Sequence, residues 1–136
     1  MQDKSYAVKI TADGKISLVE MSRECEMAFV EAIQREVGGY FEIVYADLPI
    51  TDDIAIHLDE AGKFTGKPIN RIATALYNNP RDVIVGDVLL MPIEVDPESE
   101  YGERDSMPVS MIRAMTVKSF CEEVADARLH KKEETK

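Results

Sequence analysis

Two short segments of the sequence hold the residues best suited to chemistry: IAIHLD, residues 54–59, and GKPINR, residues 66–71. His57 and Asp59 lie two positions apart in an alternating stretch, so on a strand they share one face. A histidine beside a carboxylate can act as a general base or as half of a metal site. No third ligand or nucleophile stands at a fixed spacing from them, and the motifs HExxH, CxxC, GxSxG and GxxxxGK[ST] do not occur. We therefore expect a structural His57, no catalytic residue, no metal and no cofactor.

The segment GKPINR supports two interpretations. In the first it is a rigid corner, in which Gly66 turns the chain, Pro68 fixes it and Asn70 caps a short helix through its side-chain oxygen. In the second, the helix N-terminus beside Lys67 and Arg71 forms a pocket where backbone N–H groups and a guanidinium meet a phosphate. The residue types favour the interpretation as a rigid corner and do not exclude the phosphate pocket.

The net charge makes the arginines the next candidates. Sixteen Lys and Arg oppose 26 Asp and Glu, which gives a net charge of −10 over 136 residues. This charge repels phosphate backbones and argues against duplex nucleic acid as a partner. Arginines in such a chain either pair with carboxylates or are held for an anionic ligand. Our ligand-binding candidates are these cations, the capping asparagine and two aromatic residues that can stack on a base: Lys67, Asn70, Arg71, Arg81, Arg104, Arg113, Tyr77 and Tyr101.

Length and composition bound the class of protein. With 45% hydrophobic residues, a chain of 136 can bury one core, and we expect one domain over residues 1–130 followed by a charged tail, 131–136. The first residues lack a signal-peptide pattern, and no apolar run approaches the roughly 20 residues that span a bilayer. Cys25 and Cys121 lie in runs with helical spacing, where each can pack as a small hydrophobe. We therefore expect a soluble cytoplasmic protein with no membrane partner.

Hydrophobic periodicity predicts an α+β fold with a mostly antiparallel sheet of about five strands. The first two strands should form a hairpin around Asp13-Gly14. Residues 96–107 are polar and aperiodic, and we expect a loop there. Strands are expected at residues 6–10, 16–20, 40–46, 53–59 and 82–95. Gly86 in the last of them indicates a bulge or a place where another backbone or a ligand comes close.

Helix signals predict one central helix, one short helix and one C-terminal helix. Ser22 should cap the central helix, and Gly38-Gly39 should end it because glycine accepts left-handed dihedrals. The short helix follows Asn70, and the C-terminal helix begins at Pro108. Flexible methionine side chains suit an apolar interface, and three of them lie around the final helix: Met107, Met111 and Met115. We therefore expect that copies of the chain associate into a homo-oligomer.

Four short motifs follow one another in a recognisable order. They are GGYFE at 38–42, DEAGK at 59–63, GKPINR at 66–71, and IVG at 84–86 shortly after Asp82. Together they resemble a family of small uncharacterised bacterial and phage proteins, the domain-of-unknown-function family 3846, over roughly residues 16–93. The chain departs from the family in having Asp59 where asparagine is more common, and in its C-terminal helix.

The resemblance implies a protein with no established enzymatic activity, of a kind common on phages and mobile elements and often encoded beside counter-defence genes. In size and element order the chain is also similar, more distantly, to phage anti-Thoeris proteins, which capture a cyclic ADP-ribose-type immune signal without cleaving it. We therefore expect a non-enzymatic accessory protein that sequesters a small anionic, nucleotide-derived ligand in the cytoplasm of a bacterial host. Two alternatives stay open: an acidic module that blocks a basic or nucleic-acid-binding host protein, and an enzyme centred on His57 and Asp59.

Overall fold

The fold is built on one antiparallel sheet, seen in a computed structural model that describes residues 4–47, 53–95, 101 and 104–127. The strands are β1 (Ser5–Ile10), β2 (Ile16–Met21), β3 (Phe41–Tyr45), β4 (Ile54–Asp59), β5 (Val88–Val95) and β6 (Arg104–Ser106). The helices are α1 (Glu26–Val37), α2 (Arg71–Tyr77) and α3 (Met111–Ala125). The strand order is β2-β1-β5-β4-β3, with β6 paired to β5, and the pairings of these strands are antiparallel. The predicted α+β fold is confirmed.

Each face of the sheet packs against its own helices, because successive side chains of a strand point to opposite faces. We call the two sides the α1 face and the α2/α3 face. The α1 face packs through a cluster that contains Ala7, Met21, Phe29, Ile33, Val37, Leu89 and Met91. The α2/α3 face packs through a larger cluster that includes Val8, Ile10, Ile56, Leu76, Val88, Leu90, Val117 and Cys121.

Two glycine predictions are confirmed where the backbone needs a positive φ. The β1–β2 hairpin turns through Gly14, which has a φ of 98°. Helix α1 ends at Gly38, which has a φ of 90° and donates its N–H to the Gln34 carbonyl. Residues other than glycine rarely adopt such angles, so the two glycines correctly predicted the hairpin turn and the end of α1.

The predicted start of α1 is wrong. Helix α1 begins at Glu26 after Cys25, which makes no side-chain capping hydrogen bond. The hydroxyl of Ser22 instead accepts a hydrogen bond from the Glu24 N–H at 3.2 Å. A serine that satisfies an N–H two residues away closes a local turn and is no longer available as a cap.

The prediction that both cysteines pack as small hydrophobes is half right. Cys25 is exposed just before α1, whereas Cys121 is fully buried on the inner face of α3. Burial raises the pKa of the Cys121 thiol to about 12, so this side chain stays protonated and packs as an apolar group.

The C-terminal part of the predicted topology needs two corrections. Helix α3 begins at Met111 with Ser110 as its cap, and Pro108 lies before the helix because Val109 still pairs with Tyr6 in extended conformation. The predicted loop 96–107 contains β6, while residues 96–100 and 102–103 lie outside the described residues. The predicted tail, residues 131–136, lies outside them too.

The predicted strand 82–95 begins later than expected. Strand β5 starts at Val88, and before it Val85 makes only an isolated bridge to Ile69. Gly86 has a φ of 79°, which bends the chain between that bridge and β5. The predicted bulge at Gly86 is wrong because Gly86 lies before β5, but the predicted close approach of another backbone is confirmed, since the Gly86 N–H donates to the Pro68 carbonyl at 2.8 Å.

Of the helices described, none combines the length and the apolar character needed to span a bilayer.

A buried asparagine ties α2 to the sheet. Asn70 caps α2 as predicted, since its Oδ1 accepts a hydrogen bond from the Ala73 N–H at 3.0 Å. Its Nδ2 donates to the carbonyls of Ile10 and Gly86, both at 2.9 Å. Its backbone N–H donates to the Ile84 carbonyl at 2.8 Å. The polar atoms of this fully buried side chain are therefore engaged by the backbone of the fold.

Asn70→Ala should lower the free energy of unfolding by about 2–4 kcal/mol, because it removes a helix cap and leaves two buried carbonyls without their donor. The matched control is Ser110→Ala, which removes the cap of α3 at an exposed position and should cost about 1 kcal/mol or less. Urea unfolding of the three proteins checks this. Equal losses for the two variants would contradict the role given to Asn70.

Candidate functional site

Lys67 and Asp59 form an ion pair at the end of β4. Their side chains are 27% and 7% exposed, and Lys67 Nζ lies 2.6 Å from Asp59 Oδ2. The same ammonium donates to the carbonyl of Val37, the last residue of α1, at 2.9 Å. Asp59 Oδ1 accepts a hydrogen bond from the Ala61 N–H at 2.9 Å. The pair therefore joins β4, the C-terminus of α1 and the segment 60–70 that leads into α2.

Two glycines make room for the lysine side chain. A Cβ built on Gly38 would lie 2.7 Å from Lys67 Nζ, and one built on Gly86 would lie 2.9 Å from Lys67 Cδ. Real Cβ atoms almost never approach other heavy atoms so closely. Any side chain at these two positions would therefore displace Lys67.

Two further glycines lie against the aspartate. A Cβ built on Gly39 would lie 3.0 Å from Asp59 Oδ1. One built on Gly62 would lie 2.9 Å from the Val85 side chain and 3.3 Å from the Asp59 carbonyl oxygen. We call the following set the glycine-enclosed ion pair: Asp59, Lys67, Gly38, Gly39, Gly62 and Gly86.

The electrostatics of the glycine-enclosed ion pair favour the charged forms. The hydrogen bond from Lys67 lowers the pKa of Asp59, against the opposing effect of burial, and the Ala61 N–H lowers it further. The ammonium also satisfies a carbonyl at the end of α1, where a cation is favoured by the helix dipole. Lys67 is thus engaged on two sides, which supports the rigid-corner interpretation of GKPINR.

His57 is a buried residue of the α1 face. It pairs in register with Ile43 and Leu89, and its Nδ1 lies 3.0 Å from the Leu89 carbonyl oxygen. A carbonyl only accepts hydrogen bonds, so Nδ1 carries the proton and donates it. Burial lowers the pKa of His57, and its ring meets Phe41 edge-on with ring centres 5.4 Å apart. His57 and Asp59 share a face as predicted, but the Asp59 carboxylate is bound to Lys67.

Within residues 4–47, 53–95, 101 and 104–127, no group of three or more His, Cys, Asp or Glu side chains is placed to hold a metal ion.

A groove of about 460 Å³ opens on the α1 face of the sheet. Ile43 and Tyr45 of β3 contribute apolar and aromatic surface, and they are 39% and 56% exposed. Charged groups come from Asp53, which precedes β4, and from β6. The complete lining is Ile43, Tyr45, Asp53, Ile93, Arg104, Asp105 and Ser106.

Arg104 is the cationic residue of the groove. Its Nη2 lies 2.7 Å from Asp53 Oδ2 and donates to the Ile93 carbonyl at 3.1 Å. The side chains of Arg104 and Asp53 are 54% and 41% exposed, so water screens their attraction to about 1 kcal/mol or less. A guanidinium has five N–H donors in one plane, so an anion that enters the groove can share or replace this weak pair.

The other predicted arginines lie elsewhere. Arg71 is the first residue of α2, and Arg81 lies in the turn that follows that helix; both are exposed. Arg113 on α3 forms an exposed ion pair with Glu94, whose position in β5 assigns it to the α2/α3 face. Arg104 and these residues are therefore separated by the sheet.

The remaining predicted residues have varied environments. Tyr77 packs against the cluster of the α2/α3 face, and its hydroxyl accepts a hydrogen bond from Asn79 Nδ2 at 3.3 Å. Tyr101 is exposed. Of the predicted set, Arg104 lines the groove, whereas Lys67 and Asn70 bind the backbone. Sequence reasoning missed Ile43 and Tyr45, and the alternating run YFEIVYA was the signal that could have found them.

Gly86→Ala and Gly66→Ala provide a matched test of the glycine-enclosed ion pair. Both glycines have a positive φ, 79° and 75°, so each alanine costs about 1–2 kcal/mol of backbone strain. A Cβ on Gly66 meets no atom within 4 Å, whereas one on Gly86 meets Lys67. Gly86→Ala should therefore lower the free energy of unfolding by about 1 kcal/mol more than Gly66→Ala does. That excess should disappear in a Lys67→Ala background, and an excess that persists there would refute the crowding argument.

The lowered pKa of Asp59 predicts a pH dependence of stability. Its contribution is present above the unfolded pKa, near about 3.9, and is lost as the pH falls through the lower folded pKa. As the pH falls from about 6 to about 2, the free energy of unfolding should therefore decrease less in Asp59→Asn than in the unchanged protein, as measured by urea unfolding. Asp82→Asn is the control, because its exposed carboxylate pairs with Lys63 and should have a smaller effect. If both variants reduced the pH dependence of the free energy of unfolding equally, the stronger stabilisation assigned to the buried Asp59 carboxylate would be contradicted.

Comparison with known proteins places the chain in a family. The model of a family described as a domain of unknown function, DUF3846, matches residues 5–107. No curated protein and no solved structure matches the sequence. The matched span contains the six strands, α1, α2, the glycine-enclosed ion pair and the lining of the groove, whereas α3 lies outside it. The likeness to anti-Thoeris proteins stays a prediction. Since the match spans residues 5–107 of 136, the chain belongs to the DUF3846 family.

Proposed function

We propose that this protein binds a small anionic, nucleotide-derived ligand in the groove of the α1 face without converting it. One observation carries the proposal: the groove combines exposed apolar and aromatic surface with a guanidinium whose ion pair is weak and open to water. A ligand with a ring at one end and a phosphate at the other would use both features.

The size of the groove suits such a ligand. Pockets for small molecules usually enclose about 300–1,000 Å³. The volume of about 460 Å³ is in the lower half of that range, which suits one nucleoside unit with its phosphate better than a polymer.

The lining residues suggest how the parts of a nucleotide would be held. A base would stack on Tyr45 beside Ile43, since stacking on an aromatic ring is worth about 1–3 kcal/mol. A phosphate would take two parallel hydrogen bonds from Arg104. The carboxylates of Asp53 and Asp105 would accept hydrogen bonds from ribose hydroxyls, as acidic residues do in dinucleotide-binding folds.

The charge of the groove limits the ligand. Asp53 pairs with Arg104, and Asp105 pairs with Arg23 at 3.2 Å, so the groove has no surplus of positive charge to hold a long polyphosphate. The proposal therefore favours ligands that have one or two phosphates and several hydroxyl groups.

The biological role that we propose is sequestration. Membership of the DUF3846 family and the resemblance to phage and mobile-element proteins support an accessory role in counter-defence. In that role the protein would hold an immune-signalling nucleotide and so lower its free concentration in the bacterial host.

Calorimetric titration with ADP-ribose tests the proposal, because this probe has two phosphates, a base and free ribose hydroxyls. Arg104→Ala should weaken binding at least about tenfold, since a charge-assisted bidentate contact is lost. Tyr45→Ala should weaken it by a similar factor through the lost stacking. The probe released by heating should be recovered intact.

Arg113→Ala is the matched control for this titration. It removes another exposed arginine that is paired with a carboxylate, on the other face of the sheet, and should leave binding unchanged. Failure to bind ADP-ribose at millimolar concentration, or an equal loss with Arg113→Ala, would contradict the proposed site. Recovery of a cleaved probe would contradict the non-enzymatic role.

A further inference from the structure

Strand β3 has one hydrogen-bonding edge that no other described strand covers. Among the described residues, β3 pairs with β4 and ends the sheet. The Tyr40 carbonyl accepts from the Glu60 N–H at 3.0 Å, and the Ala46 N–H donates to the Ile54 carbonyl at 2.9 Å. In an antiparallel pair such bonds recur at every second residue, so the even-numbered residues of this stretch face β4. The backbone groups that point away from β4 therefore belong to Phe41, Ile43 and Tyr45.

The composition of β3 does not protect this edge. Natural sheets discourage edge pairing with lysine, proline or bulges, and β3, with the sequence FEIVY, contains neither lysine nor proline. Its outward residues Ile43 and Tyr45 have exposed apolar side chains. The strand at the other end of the sheet, β2, carries one exposed glutamate, Glu20, as β3 carries Glu42, but β2 has no exposed large apolar side chain.

We propose that β3 pairs with β3 of a second copy of this chain, antiparallel and about a two-fold axis at Ile43. The axis lies at Ile43 because Ile43 is the middle one of the three outward residues, so that each of the three has a partner in the second copy. It places Ile43 opposite itself and Phe41 opposite Tyr45 of the second copy. Because the backbone groups of these residues point outward, each of the three pairs, Ile43 with Ile43 and Phe41 with Tyr45 twice, exchanges two hydrogen bonds. The dimer would therefore have about six hydrogen bonds across the axis.

The side chains suit a second copy in this register. Phe41 and Tyr45 form an aromatic cross-strand pair on each side of the axis, and the two Ile43 side chains form an apolar pair. Glu42, the one charged residue of β3, falls opposite Val44, so like charges do not meet directly. A two-fold axis uses both β3 edges at once, so this contact closes at a dimer.

Pairing would also change the groove. Phe41 of the second copy would lie opposite Tyr45, which lines the groove, and would extend its aromatic surface. This consequence rests on the proposed function, whereas the strand pairing does not, and the experiment below is done without ligand.

Sedimentation equilibrium of the full chain tests the pairing over about 1 μM to about 1 mM, the range expected for an interface of modest area. A dimer should form as concentration rises, and added salt should favour it because each copy has a net charge of −10. Ile43→Pro removes an outward N–H, which an edge strand tolerates, and should weaken dimerisation at least about tenfold.

Ile112→Lys is the control, because Ile112 is 80% exposed on α3 and offers the alternative apolar surface. It should leave the dimer intact. Hydrogen exchange of the unchanged protein gives a second measurement that does not depend on a variant's folding: the amides of Phe41, Ile43 and Tyr45 should be protected more strongly as concentration rises. The proposal would be overturned if the protein stayed monomeric over the whole concentration range, or if Ile112→Lys and not Ile43→Pro abolished the dimer. It would also be overturned if hydrogen exchange of the three edge amides did not change with concentration.

Discussion

The arrangement of this fold depends on one enclosed ion pair. Lys67 reaches from the segment before α2 to Asp59 at the end of β4 and to the last carbonyl of α1. The end of α1, the end of β4 and the segment before α2 are thereby joined by one side chain. The lysine fits because Gly38 and Gly86 leave space where any other residue would place a Cβ. Glycines of two separate motifs, Gly38 and Gly86, thus share a single physical reason.

The glycine-enclosed ion pair and the groove lie at opposite ends of the same two strands. Asp59 ends β4 and Gly86 precedes β5, whereas Asp53 precedes β4 and Ile93 lies near the end of β5. One end is closed by backbone contacts, including those of Asn70, and at the other end the described residues line the groove. The motif-rich end therefore holds β4, α1 and the segment before α2 together, and the other end contains the groove of the proposed ligand. The motifs that identify the family most clearly are, on this account, structural.

Local features of the fold could be predicted from sequence, and long-range ones could not. Gly14, Gly38 and Asn70 were predicted correctly because a positive φ or a helix cap is decided by a few neighbouring residues. Ser22 was misread because a serine hydroxyl can accept from the N–H two residues on as well as cap a helix, and periodicity does not decide between the two. The partner of Lys67, the strand at Arg104 and the edge position of β3 depend on which strands become neighbours. Among the candidate ligand residues, Arg104 was found by its charge, while the alternating run that contains Tyr45 predicts a strand and only the strand order places that residue near Arg104.

A double-mutant cycle between Asp59→Asn and Lys67→Met measures the central interaction most directly. Both variants keep most of the side-chain volume, so the cycle isolates the charge pairing within the enclosure. From the free energies of unfolding in urea, the account predicts a coupling of about 2 kcal/mol or more, well above the roughly 1 kcal/mol limit of exposed pairs. A coupling below about 0.5 kcal/mol would contradict it, since the two groups would then contribute to stability independently.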